Sequence, residues 1–130
     1  MLEWQLKNSK KLKHLENFKK MKKAGQHVPF LDNVPEVHPA HEWLMRSFAV
    51  LTGQRLHSDG RPMPIQVSEL AAYADYVGID DEADREDLLH VVTLLDTLVL
   101  EHIANERSEQ ARAEKRRQAS QNLKKAGKRR

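Results

Sequence analysis

His38, His41 and Glu42 are the first residues in the chain whose types and spacing could hold a metal ion. No second pair of ligands lies nearby, and His41-Glu42 does not open an H-E-x-x-H motif, because position 45 is Met45. His90 and His102 are twelve residues apart, more than three helical turns, so one helix cannot bring both to one ion. Asp80, Asp81, Glu82 and Asp84 have the composition of a cation site but lack the spacing and central glycine of an EF-hand loop. Carboxylates in such a run suit the N-terminus of a helix, where the dipole favours negative charge. The chain has no cysteine, which removes thiol nucleophiles, thiolate zinc sites and disulfides and fits a reducing cytoplasm. No catalytic residue, metal or cofactor is expected.

Asp96 is more informative because it interrupts the apolar run LLDTLV. A buried carboxylate without a partner is expensive, so it must reach solvent or meet a cation. Arg46 and Arg55 are the nearest candidates, and Arg55 is expected to form a structural ion pair with Asp96.

Charge is the strongest chemical signal. The net +3 of the whole chain hides a segregation: residues 1–31 carry +6, residues 32–106 carry −11 and residues 107–130 carry +8. Cations at the density of the last segment neutralise phosphates, giving weak, salt-sensitive and sequence-independent nucleic-acid binding. Lys124, Lys125, Lys128, Arg129 and Arg130 are the candidate contacts. The tail has no aromatic residue on which bases could stack, and the alternative is that it neutralises the acidic middle of its own or a neighbouring copy.

The elements that must position these residues are helices, so the fold expected is all-α: a small helical bundle with a basic N-terminal helix and a long C-terminal helix extending into a basic tail. Leu2, Leu6, Leu12, Leu15 and Phe18 predict one amphipathic helix from about Leu2 to Ala24, stopped at Gly25. Pro29, Pro35 and Pro39 predict an extended connector over 26–39, pinned by Phe30, Leu31, Val34 and Val37. A second helix runs from Pro39 to Thr52, a third from about Val67 to Val77 before Gly78, and a long one follows Asp80-Asp81, with a turn-rich loop over 54–64. The core is expected around Trp43, Phe48, Leu51, Leu70, Tyr73 and Leu95. No strand pair is expected, and the helix is expected to fray beyond Ile103, where its apolar stripe ends. Leu89, Leu94 and Leu100 make the middle of the long helix apolar nearly all round, which marks a second buried face or a partner. The domains expected are a basic helix and linker over 1–29, an acidic core over 30–106 and a basic, helix-prone or disordered tail over 107–130. The run Leu88 to Leu100 is too short and too polar to span a bilayer, and the basic start lacks a signal-peptide apolar stretch, so a cytoplasmic protein without membrane contact is expected.

Residues 43–100 contain Leu51-Thr52-Gly53-Gln54-Arg55, then Gly60-Arg61-Pro62-Met63-Pro64-Ile65, then Ser68-Glu69-Leu70-Ala71-Ala72-Tyr73-Ala74 with Val77-Gly78-Ile79, and finally Leu94-Leu95-Asp96. This succession resembles the small helical tail assembly chaperones of tailed bacteriophages. The resemblance implies a non-enzymatic protein, made in the host cytoplasm, that binds the tape measure protein and helps the tail tube protein assemble around it. It also implies a partner-binding role for exposed apolar and charged positions, for which Leu89, Leu94, Leu100, Arg112, Arg116 and Arg117 are the candidates, and self-association is a further expectation. The alternatives are a small nucleic-acid-associated phage or bacterial protein using its basic arms, and a structural component of the virion.

Overall fold

A computed structural model describes residues 1–128. The chain divides into two compact units, Met1–Leu98 and a second from Val99 on. All substantial elements are helices, in agreement with the periodicity of the sequence.

The N-terminal stretch is not one helix but three: α1 (Leu2–Lys7), α2 (Ser9–Leu12) and α3 (Leu15–Lys23). The breaks fall at Asn8 and His14, whose backbones leave the helical region at φ −105°, ψ 16° and φ −104°, ψ 12°. Asn8 competes locally with helix propagation, its Nδ2 donating to the Trp4 carbonyl at 2.8 Å. The interruptions accompany an aromatic cluster, in which Phe30 stacks on Trp4 with ring centroids 5.1 Å apart and meets Phe18 at 5.3 Å. Phe30 belongs to a short helix, α4 (Pro29–Asp32), inside the segment expected to be extended. Pro29 sits at its first positions, where a missing N–H costs nothing.

A 3₁₀ turn at Pro39–His41 leads into α5 (Glu42–Gly53). His38 caps that turn, its Nδ1 accepting from the Ala40 N–H at 3.2 Å, which gives His38 a structural place. The following loop contains a small antiparallel ribbon, β1 (His57–Ser58) and β2 (Arg61–Pro62), where no strands were expected from the sequence. Asp59 and Gly60 turn the chain between them, both with positive φ (50° and 69°), as a tight hairpin requires. Helix α6 (Val67–Val77) then ends at Gly78, whose φ of 76° is left-handed.

Helix α7 (Glu82–Lys128) begins with Asp81 Oδ1 accepting from the Asp84 N–H at 3.1 Å. It does not fray after Ile103: the helix persists through Lys128, because no Gly or Pro interrupts residues 82–126 and Ala, Arg, Glu, Gln and Lys favour helix in the solvated part.

The core of the first unit is built from Leu44, Phe48 and Leu51 of α5, Leu70 and Ala74 of α6, and Leu88 and Val92 of α7, with Val28 from before α4. Leu88 and Val92 are spaced by four, so one stripe of α7 faces inward, and they have the largest fully buried side chains. Trp43, Tyr73 and Leu95, expected at the centre, are half-buried around this core. Trp43 is only half-buried because the Leu44, Ser47, Phe48 and Leu51 positions define the inner face of α5.

Candidate functional site

Two residues tie the turn-rich loop to α7. The Arg55 guanidinium meets the Asp96 carboxylate, Nη2 against Oδ1, with the two side chains only 4% and 8% exposed. Oδ1 is held by this charge contact without an aligned hydrogen bond, while Oδ2 accepts from the Ile65 N–H at 3.0 Å. Arg55 also donates through Nη1 to the Met63 carbonyl at 2.8 Å and through Nη2 to Thr52 Oγ1 at 3.4 Å. The arrangement satisfies both buried charges, which is what makes their burial tolerable. Its contacts with Thr52, Met63 and Ile65 fasten the loop between α5 and α6 to α7.

Ser47 and Tyr73 make a second polar link. Ser47 Oγ donates to the Trp43 carbonyl at 2.8 Å and accepts from the Tyr73 hydroxyl at 3.1 Å, joining α5 to α6. The sequence signal for it was a lone serine among the apolar residues of α5. Arg85 makes a third, donating through Nε to the Ile79 carbonyl and through Nη2 to Asp75 Oδ1, both at 2.6 Å. Neither Ser47 nor Arg85 was singled out by sequence reasoning.

The histidines and acids do not converge on a metal: among the described residues no group of three or more His, Asp or Glu side chains is arranged to hold one. His38 and His41 lie near each other, with rings 5.8 Å apart, but no carboxylate completes a ligand set there.

The surfaces available to a partner are apolar grooves and exposed side chains. One groove of about 190 Å³ lies between α6 and the start of α7, lined by Val67, Leu70, Ala71, Ala74, Leu88 and Leu89, with Arg85 at its edge. A wider one of about 410 Å³ includes Met1, Leu2, Val37, Leu44, Met45 and Val91 in its lining. Leu89 and Leu94 are exposed on α7, whereas Leu100 is half-buried. In the second unit Arg112, Arg116, Arg117, Lys124, Lys125 and Lys128 are all exposed; Arg129 and Arg130 lie outside the described residues. None of the described helices is long and apolar enough to cross a membrane.

A family model described as phage tail assembly chaperone matches residues 21–101, more than half of the chain. The match spans Arg55, Asp96, both polar links and the α6–α7 groove, and stops before the basic part of α7. No curated protein and no solved structure matches the chain.

Proposed function

The chain belongs to the phage tail assembly chaperone family, and from that membership we propose that it binds helical segments of a tape measure protein while tail tube subunits assemble around them. The family match over residues 21–101 carries this reading. Apolar side chains left in solvent support it: Leu89 is 41% and Leu94 is 54% exposed, on the same helix as the buried Leu88 and Val92. An amphipathic client helix docks through such positions, reading apolar anchors spaced three and four apart. In the second unit Leu100, Arg112, Arg116 and Arg117 supply further apolar and cationic contacts to an extended client. The role requires binding and release and no bond chemistry, so the protein acts as a non-enzymatic chaperone in the host cytoplasm.

The test is co-expression of the full chain with a tape measure protein from the same phage genome. A complex that survives purification, and that Leu94→Asp weakens without altering the melting midpoint, is the expected result. Failure to form a complex with that protein or with the tail tube protein would overturn the reading.

A further inference from the structure

The α6–α7 groove has features that a client helix alone does not explain. Its lining is apolar, yet it is open: Val67 is 65% exposed at one end and Leu89 41% at the other. Its edge is acidic. Between Val67 and Leu89 the chain carries eight carboxylates against the single Arg85, and Arg85 is already engaged by Asp75 and the Ile79 carbonyl. Glu82 and Glu86 are exposed and, at spacings of four and three, line one side of α7 together with Leu89.

The complementary surface occurs elsewhere in the same sequence. From Lys115 to Lys128 there are six Lys or Arg residues and no carboxylate, and within them stands one large aliphatic side chain, Leu123, 74% exposed. Its neighbours three and four positions away are Ala119, Ser120, Ala126 and Gly127, so Leu123 protrudes from a face of very small residues flanked by Lys124 and Lys125. A groove of about 190 Å³ is of a size to receive a branched aliphatic side chain, and small neighbours let the two backbones approach.

We infer that the chain self-associates, Leu123 of one copy seating in the α6–α7 groove of a second, with Lys124, Lys125 and Lys128 against the acidic edge. A polyanion would use the lysines but would leave Leu123 and the groove in water; a second copy covers all three. Knob and groove are different surfaces, so two copies can exchange the contact reciprocally or each can pass it on to a further copy. Leu123 lies outside the residues matched by the family, so this contact belongs to this chain and does not follow from the chaperone role.

Sedimentation velocity of the full chain, freed of nucleic acid by nuclease, tests the contact over a wide concentration series at low and high salt. The expected result is a sedimentation coefficient that rises with concentration and a response that salt weakens. Leu123→Asp, and separately Lys124→Glu with Lys125→Glu, should each weaken association by at least about tenfold. Glu82→Lys with Glu86→Lys should do the same, and mixing these two charge-reversed proteins should restore it. All these positions are exposed, and circular dichroism of each variant checks that its fold is kept. A monomer at every concentration, association indifferent to the substitutions, or association that vanishes with nuclease treatment would overturn the inference, the last in favour of a nucleic-acid partner.

Discussion

Arg55 and Asp96 are paired inside the first unit although forty residues separate them in the chain, and the pair carries the backbone of the loop between α5 and α6 with it. Met63 offers its carbonyl to Arg55 and Ile65 its N–H to Asp96. Asp96→Ala would strand a buried guanidinium and an N–H together, so it is expected to cost about 3–5 kcal/mol, measured by urea unfolding. Arg55→Met with Asp96→Leu should recover only part of that loss. The double substitution removes both charges but still leaves the Met63 and Ile65 backbone groups unpaired.

The centre of the core predicts a second contrast. Phe48 is 5% exposed, whereas Trp43, on the same helix, is half-buried. Phe48→Ala is expected to destabilise by about 3–5 kcal/mol and Trp43→Ala by less, in spite of the larger side chain, because less of the indole leaves water on folding. Thermal melts of the two variants side by side check the order.

Helical periodicity made the all-α fold legible, since Leu88, Val92 and their neighbours keep one spacing for several turns and Gly78 marks its stop by a left-handed backbone. The need for a cation near Asp96 is equally visible in LLDTLV. That Ile65 and Met63 join the same knot is not visible, because backbone groups in a loop leave no trace in the side-chain pattern. The division of the N-terminal stretch at Asn8 and His14 escaped for a related reason: Leu2, Leu6, Leu12, Leu15 and Phe18 fit one helical face almost as well as they fit three short helices, and the partner that tips the balance, Phe30, lies well along the chain. The ribbon turned by Asp59-Gly60 did have a signal, the Asp-Gly pair, but its flanking strands are only two residues each and show no alternation to read.

Phe30 predicts how the N-terminal helices are held. It stacks on Trp4, meets Phe18, and has the Lys11 ammonium 5.7 Å from its ring centroid. Phe30→Ala removes two aromatic contacts at once and is expected to cost about 2 kcal/mol. The sharper readout is limited trypsin digestion: cleavage at Lys19, Lys20, Lys22 and Lys23 should accelerate well before the core of α5, α6 and α7 is attacked. Unchanged cleavage would show that helix propensity alone keeps α1–α3 in place.

Removing residues 108–130 separates helix content from stability. Residues 108–128 are exposed throughout, and the described contacts among them, such as Gln118 with Glu114 and Ser120 with the Arg116 carbonyl, are internal to the helix. A truncated chain should therefore lose far-ultraviolet helical ellipticity in proportion to the residues deleted, while its melting midpoint shifts by no more than surface changes usually cause, about 0.5 kcal/mol. Long-range electrostatics is the competing effect, because the deletion removes a net +7 and leaves an acidic remainder. Self-repulsion among those carboxylates would lower the midpoint at low salt and leave it unchanged at high salt, where the screening length falls to about 3 Å at 1 M. A loss that persisted in high salt could arise only from packing or hydrogen bonds, and would mean that the basic segment of α7 is part of the cooperative fold.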